Sequence, residues 1–323
     1  EHLRWNVGFG FAAIVMIISL LTFTQTQKSL GEIGLSPLKN VVDSKRKTLE
    51  ISTYVGSLII IPVIIIMVAN TIYTDYFMIF IGPASILYLF YEMRTLTAVE
   101  NKKLFAALIF IIFSIFFWAF FEQSGGSLSL FAANNLNDEI LGMHLSPNGV
   151  NNSANSLFVI AFAALVGLVW LWMAKRKIEP NTVIKFGLAF VFLAGGFWVF
   201  YYTQFFADSI GKTSLGIFTF GWLVITFGEL CLSPIGMSAM TKLSPQKTQA
   251  VIMGMWFLAS AYGQYFAGLL GANIAEASAN ATNLEKLIVY ADGYKQLAIY
   301  ALVAGLVLII ISPFVKKLMQ GVK

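Results

Sequence analysis

Two acidic residues stand inside long apolar runs of this sequence. Glu122 falls in FFWAFFEQ at 116–123, and Glu229 falls in FGELCLSP at 227–234. A charged side chain at the centre of a membrane-spanning helix costs roughly 2.5 to 3.5 kcal/mol on insertion scales, so a carboxylate there is a functional candidate by default. The other 14 of the 16 acidic residues fall in loops or at the ends of apolar runs. Glu122 and Glu229 are therefore the first candidates for chemistry.

The sequence offers no positive partner for these two carboxylates, since no lysine or arginine is expected at a comparable depth in the membrane. Each carboxylate must then be protonated, be solvated by a cavity, or be paired with a cation supplied from elsewhere. All three states are typical of a transport pathway or of an interface with a missing half. The alternative is structural, with both groups acting as protonated acids that hydrogen-bond between packed helices.

Helical spacing groups aromatic, acidic and hydroxyl side chains into stripes, because residues three and four apart share a helix face. Three such stripes are Trp118 with Phe121 and Glu122, Glu229 with Ser233, and Trp256 with Ser260. A cavity lined in this way offers a carboxylate to a ligand cation, indole faces for cation–π contact, and hydroxyls for orientation. Tryptophan is also common at lipid interfaces, which is the alternative interpretation of both indoles.

Other patterns in the same spans indicate packing. Pro234 follows Ser233 directly and predicts a bend in the helix, because proline lacks the backbone N–H. Small residues recur every fourth position at Ala259, Gly263, Ala267 and Gly271, a stripe that lets two helices approach closely.

The elements that carry these residues must be membrane helices. The chain is 58% hydrophobic and only 11% charged, against about 25% charged residues in soluble domains. A soluble protein is excluded. Apolar stretches long enough to cross about 30 Å of hydrocarbon predict nine spans, near residues 5–23, 51–70, 77–91, 104–134, 157–174, 183–206, 215–241, 250–275 and 297–315.

The patterns that enzymes need are missing from the sequence. One cysteine and two distant histidines make no metal cluster, and we find neither a phosphate-binding glycine loop nor a nucleophile with its base. We expect no cofactor and no nucleic-acid partner. A secondary active transporter fits the pattern better than an enzyme.

Basic residues orient the predicted spans. If the first span enters from the outside, 17 of the 21 basic residues fall in cytoplasmic loops, and only Arg4, Lys212, Lys286 and Lys295 fall on the other side. This asymmetry obeys the positive-inside rule and places the C-terminus in the cytoplasm. The sequence opens at Glu1, and an odd number of spans leaves three without a partner half, so we expect a piece of a longer polypeptide.

Two blocks of sequence resemble the proton-dependent oligopeptide transporters, a branch of the major facilitator superfamily. FWAFFEQSGGSL at 117–128, followed by LFA at 130–132, is similar to the seventh helix of that family. GELCLSPIG at 228–236, KLSP at 242–245 and MGMWFL at 253–258 are similar to helix ten, the following loop and helix eleven.

The resemblance implies an all-α multi-pass bundle of the major facilitator type. Residues 1–27 would be helix six, 28–50 a basic cytoplasmic loop, 51–100 the two-helix hairpin of bacterial members, and 101–323 the C-terminal six-helix bundle. The family's Glu-x-x-Glu-Arg proton motif, on its first helix, has no match here.

The resemblance also implies roles for individual residues. Glu229 would face the amino terminus of a bound peptide, with Ser233 beside it, and Asn155 in NSANSLF at 152–158 would contact the same amine. Glu122 would pair with an arginine of the missing half and help close the outer gate. Aromatic and hydroxyl neighbours would line the side-chain pockets, namely Trp118, Phe121, Trp256 and Ser260. Ser156 and Gln264 depart from the family, where proline and asparagine are frequent.

The resemblance thus implies proton-coupled symport of di- and tripeptides by alternating access. Partners would be peptides, protons as coupling ion, membrane lipid and the absent N-terminal half, in a bacterial inner membrane. Two alternatives stay open. One is a transporter of the same fold for nitrate or another small solute, although Glu229 favours an amine-bearing ligand. The other is a structural or receptor subunit whose polar residues only hold helices together.

Overall fold

The computed structural model describes residues 2–31, 38, 41–274 and 281–322, with side chains from residue 6 onward. The described chain is almost entirely helical. Its ten α-helices are α1 (His2–Thr26), α2 (Asp43–Ala69), α3 (Thr71–Met93), α4 (Ala98–Phe121), α5 (Ser127–Asn135), α6 (Pro147–Lys175), α7 (Thr182–Tyr202), α8 (Leu215–Leu243), α9 (Gln249–Ile274) and α10 (Asn283–Leu318). A small antiparallel hairpin joins Glu139–Ile140 to Met143–His144.

Eight segments of the described chain are helical, long and apolar enough to cross a membrane, where the sequence predicted nine. The segment missing from this set is the span predicted near 250–275. It is nonetheless a helix, α9, of 26 residues. At 1.5 Å per residue that length is about 39 Å, enough to cross the hydrocarbon, but its Gly, Ser, Gln and Tyr residues lower its hydropathy.

The second helix begins earlier than its apolar run. The interval 28–50 was predicted as a loop, but α2 starts at Asp43; residues 32–37 and 39–40 of that interval lie outside the described part. An ion pair one turn apart, with Arg46 Nε 2.8 Å from Glu50 Oε1, supports the polar first turns of this helix. An apolar run marks only the part of a helix that lies in hydrocarbon, so the polar first turns of α2 were not predicted as helix.

The chain divides into two compact units between Asp75 and Tyr76.

Helix starts follow side-chain caps. Thr97 and Thr282 form capping boxes with the glutamates three residues later, and further caps at the starts of α6, α7 and α8 are Ser146, Asn181 and Ser214. Each cap oxygen accepts a backbone N–H that the first helical turn leaves without a partner.

The span predicted at 104–134 is interrupted in the structure. α4 ends at Phe121, a 3-10 turn covers Glu122–Gly125, and α5 then begins at Ser127. The buried side chain of Gln123 holds this break, because its Nε2 donates to the carbonyls of Ala119 and Ala267, each at 3.2 Å. By contrast, α8 continues as a helix through Pro234. The discontinuous helix is therefore the one that carries Glu122.

Among the residues that the structure describes, one basic side chain is buried, although the sequence analysis assigned it to a cytoplasmic loop. Lys185, assigned with the cytoplasmic loops, lies in the first turns of α7 and is only 8% exposed. Its ammonium contacts the Glu179 carboxylate and the Trp170 ring. These contacts offset part of the cost of removing the charge from water.

The hydroxyl of Tyr262 connects α3 with α9. It accepts the backbone N–H of Gly82, with 3.0 Å between nitrogen and oxygen, and donates to the carbonyl of Met78. In the last turn of α3, Glu92 Oε2 lies 2.7 Å from Nζ of Lys247 in the loop before α9, and this interaction raises the pKa of the lysine. A side chain at Gly82 would displace Tyr262, because an added Cβ would lie 2.3 Å from its hydroxyl oxygen.

The small-residue stripe of α9 lies at a close helix contact, as predicted, and the structure shows that the partner helix is α4. All four of its members, Ala259, Gly263, Ala267 and Gly271, are buried. At Gly263 an added Cβ would lie 2.3 Å from Cβ of Trp118, which puts the two helices at nearly backbone contact. This close approach fixes the position of Trp118 relative to α9.

We therefore expect Gly263→Ala to destabilise the protein by about 1–3 kcal/mol, the usual cost of forcing an extra carbon into a packed interface. Thermal unfolding of the detergent-solubilised protein measures the change. The matched control is Gly254→Ala on the same helix, where an added Cβ meets no atom within 4 Å. Equal unfolding temperatures for the two variants would contradict the close α4–α9 contact.

Candidate functional site

Glu229 is the central residue of α8, which runs for 29 residues. Its half-buried carboxylate accepts a hydrogen bond from Asn155 on α6, with 2.8 Å between Asn155 Nδ2 and Glu229 Oε2. Two residues that the family resemblance assigned to the same peptide amine thus bond to each other directly. The amide orients the carboxylate and ties α6 to α8.

Thr226 belongs to the same cluster and was missed in the sequence analysis. Its Oγ1 lies 3.2 Å from Asn155 Nδ2, so the amide is shared between the hydroxyl and the carboxylate. The threonine hydroxyl itself donates to the carbonyl of Trp222 at 2.7 Å. Thr226 precedes Glu229 by three residues, so the helical-spacing rule that selected Ser233 on one side would also have found Thr226 on the other.

Glu122 lies where α4 ends and the 3-10 turn begins, half-buried. Its hydrogen-bond contact is a long one, with 3.5 Å between Gln264 Nε2 and Glu122 Oε1. The residue that departs from the family at position 264 thus faces this carboxylate. The end of α4 that precedes Glu122 packs against α8, with 6.1 Å between the ring centroids of Phe121 and Trp222.

Neither carboxylate is balanced by a cation within the described part of the chain. The ion pairs found there involve Glu50, Glu92, Glu179 and Asp138 as the acids. Two acids without a positive partner in a largely apolar surrounding have a high affinity for a cation or a proton. The described residues contain no group of three or more side chains suited to hold a metal ion.

Aromatic rings form the wall beside Glu122. Trp118 and Phe121 meet edge to face with 5.2 Å between ring centroids, and Phe121 also stacks on Phe117 and contacts Trp222 of α8. Trp118 is half-buried, whereas Phe121 is only 8% exposed. Phe121 therefore packs against Trp118 and contributes little exposed surface to the site.

Trp256 is also buried, at 3% exposure, where a lining role was expected. Its ring covers Gly236, where an added Cβ would lie 2.1 Å from the indole, and it contacts Phe186. Ser233 and Ser260 remain half-buried on α8 and α9. The exposed parts of the candidate site are thus mainly its polar groups and Trp118.

The site lies on α4, α6, α8 and α9, and α8 contacts each of the other three. Asn155 comes from α6, Glu229 and Ser233 from α8, Glu122 from the turn after α4, and the rest from α4 and α9. Chemically, the arrangement offers a carboxylate with an oriented amide, a second carboxylate nearby, and flat aromatic surfaces. Such a set can bind a primary ammonium group and take up protons.

Comparison with known proteins gives the family. The model of the POT family matches residues 1–287. Over 291 residues the chain is 30% identical to the peptide transporter YePEPT of Yersinia enterocolitica, covering 84% of this chain and 56% of that protein. Over 337 residues it is 31% identical to the transporter YclF of Bacillus subtilis, covering all of this chain and 63% of that protein.

Solved structures agree with this result. A crystal structure of the peptide transporter POT in complex with sulfate superposes with a TM-score of 0.69 at 27% identity, covering 98% of this chain and 63% of that one. A mutant of POT in complex with alafosfalin gives a TM-score of 0.68 at 28% identity, covering 98% and 62%. The predicted all-helical fold of the major facilitator type is confirmed.

The chain spans somewhat more than half the length of the relatives it matches, from 56% of YePEPT to 63% of YclF. Its relatives include peptide transporters, and its long apolar helices indicate a multi-pass membrane protein. On the match over residues 1–287 and the agreement in fold, the chain belongs to the POT family.

Proposed function

We propose that this chain is the C-terminal part of a proton-coupled symporter that carries di- and tripeptides across a bacterial inner membrane by alternating access. The observation that carries the proposal is the hydrogen bond between Asn155 and Glu229 at the centre of α8. It holds a carboxylate without a counterion at mid-helix, the depth at which transporters bind their substrates. Relatives described as peptide transporters support the choice of substrate.

Glu229 would bind the terminal ammonium of the peptide. Asn155 donates to Oε2 only, so Oε1 is left to accept an N–H of the substrate, and the Asn155 carbonyl oxygen can accept another. Charge-assisted hydrogen bonds of this kind are about twice as strong as neutral ones. Ser233 lies one turn along α8 and would contact the peptide next to its amine.

The peptide side chains would lie against the aromatic wall. Trp118 offers a half-buried ring with Phe121 packed against it, and Trp256 and Ser260 would contribute from α9. The buried aromatic neighbours of Trp118 fix the position of its ring. A site for peptides with varied side chains needs few directional contacts to those side chains. This combination suits a binding site that accepts many peptides.

Glu122 would work as an outer gate and a proton acceptor. Among the described residues its one side-chain contact is the long one to Gln264, so an arginine from the N-terminal half could pair with it. Protonation of the carboxylate would break that pair and allow the gate to open. Because Glu122 sits at the break between α4 and α5, the pair would act where the helix is already discontinuous.

The remaining assignments follow the family. Residues 1–27 would be helix six, 28–42 a cytoplasmic loop, α2 and α3 the linker hairpin and 101–323 the C-terminal bundle, with the C-terminus in the cytoplasm. The N-terminal half would supply the opposite wall of the cavity and the cations that Glu122 requires. No resident cofactor is needed, since protons are the coupling ion.

We expect Glu229→Gln to weaken dipeptide binding by more than about tenfold, because truncating one member of a buried hydrogen-bonded charge pair typically costs 2–5 kcal/mol. The measurement is uptake of a labelled dipeptide into proteoliposomes that hold the intact transporter, with and without an inward proton gradient. Glu139→Gln, at an exposed position of the β-hairpin, is the control of equal charge change. Unchanged affinity and unchanged gradient-driven uptake in Glu229→Gln would show the assignment to be wrong.

For Glu122→Gln we expect loss of gradient-driven accumulation with peptide exchange retained, since glutamine can neither take up a proton nor pair with arginine. Counterflow exchange and accumulation, measured on the same vesicles, separate the two effects. Accumulation equal to that of the unmodified protein would rule out a coupling role. Gradient-driven uptake of nitrate without any uptake of peptide would favour the alternative substrate.

Single cysteines at Ser233 and Ser260 should react with a membrane-impermeant maleimide and be protected by dipeptide, because both positions are half-buried beside the carboxylates. The native Cys231 is buried and is replaced by alanine for this test. Ser209→Cys, in an exposed loop, serves as the control that dipeptide leaves unprotected. A structural subunit would give labelling that does not depend on the ligand.

A further inference from the structure

The buried lysine of α7 takes no part in the proposed transport site. Lys185 Nζ lies 2.5 Å from Glu179 Oε1 and 4.6 Å from the centroid of the Trp170 ring. An ammonium has three N–H donors. In the part of the chain that the structure describes, no second oxygen acceptor bonds to it, so one donor direction remains for a ligand.

Two adjoining cavities open beside this lysine. One, of about 460 Å³, lies between α6, α7 and α8 and extends to Ser238 and Lys242. The other, of about 640 Å³, lies between α7 and α10. Glu179, Thr182 and Lys185 line both, so the lysine stands in the wall between two parts of one recess. We call this recess the α7 basic pocket.

The charge of the α7 basic pocket is strongly positive. Besides Lys185, its walls include Lys177, Lys242 and Lys316, and Glu179 is the single acid among the lining residues. This excess of positive charge favours the binding of an anion. Thr182 adds a hydroxyl and, as the first residue of α7, a backbone N–H at the positive end of the helix dipole.

The pocket is amphipathic. The first cavity continues from its lysines onto apolar side chains, among them Val166, Leu230 and Ile235. Next to it, α6 exposes Leu165 and Leu168. A free inorganic anion would use only the lysines. A lipid would use both parts, with its phosphate at the lysines and its glycerol and first acyl carbons along the apolar wall.

We propose that the α7 basic pocket binds the phosphate group of an anionic phospholipid from the cytoplasmic leaflet. The proposal rests on the orientation given under the proposed function, which places these lysines on the cytoplasmic side. Basic pockets between membrane helices on that side are suited to anionic head groups. The lipid phosphate bonds to Lys185 and to Lys242 of α8 or Lys316 of α10, and so bridges α7 with one of these two helices.

The test measures lipid binding and is separate from transport. The intact transporter, purified in detergent, is titrated with short-chain phosphatidylglycerol, short-chain phosphatidylcholine or inorganic phosphate, and thermal unfolding is followed. We expect phosphatidylglycerol to raise the unfolding temperature, with smaller effects of the other two. Lys242→Gln and Lys316→Gln, both at exposed positions, should each weaken the apparent affinity by roughly fivefold.

Two further variants complete the design. Lys102→Gln, an exposed lysine in the cytoplasmic part of α4, is the control and should bind phosphatidylglycerol as the unmodified protein does. The double variant Lys185→Gln with Glu179→Gln removes the buried pair without stranding a charge and should abolish the preference for phosphatidylglycerol. The exposed-lysine variants keep the test decisive if the double variant does not fold.

Three results would overturn the proposal. The first is an equal rise in unfolding temperature with phosphatidylglycerol and phosphatidylcholine, and the second is a rise with inorganic phosphate as large as that with the lipid. The third is an equal effect of Lys242→Gln, Lys316→Gln and Lys102→Gln on the response to phosphatidylglycerol. Peptide uptake by the same preparation is recorded separately. Failure of lipid binding with uptake intact, or the reverse, tells which of the two proposals is wrong.

Discussion

The hydrocarbon of a bilayer contains no water to solvate a polar side chain, and the arrangement of the intramembrane polar groups in this chain follows from that constraint. At the centre of α8, Glu229 and Thr226 share the amide of Asn155. At the break after α4, Gln123 bonds to carbonyls of α4 and α9 and accepts the Ser127 hydroxyl. Each group therefore joins two segments, so the polar contacts that reduce the cost of burial also fix the helices that carry the site.

Close backbone approach supplies the rest of the framework. Without a hydrophobic driving force between helices in lipid, small residues at the contacts allow van der Waals packing over a large area. At Gly196 an added Cβ would lie 2.2 Å from a side-chain carbon of Ile225, and at Gly305 it would lie 2.9 Å from the carbonyl of Gly187. These contacts hold α7 against both α8 and α10. The candidate site is thus built on rigid, packed helices, with its one break at Glu122–Gly125.

Charge is distributed unevenly along the helices. The two acids without counterions lie at the centre of α8 and at the break after α4, whereas the lysines of the α7 basic pocket lie near helix ends. A negative site at mid-helix attracts a cationic amine, and a positive pocket at the membrane boundary attracts an anion. The two need not compete for ligands, because each is attracted to charge of the opposite sign.

The sequence by itself determined the membrane class, most of the helices, the small-residue packing stripe of α9 and the pair Glu122 and Glu229, because each depends on residues within a few turns of one another or on the cost of charge in hydrocarbon. Cap residues such as Thr97 likewise act over three residues. Only the tertiary structure decided the rest. Asn155 meets Glu229 across 74 residues, and Gln123 holds the broken helix through a carbonyl 144 residues away. Burial of Phe121, Trp256 and Lys185 also depends on partners from other helices, which no local periodicity specifies.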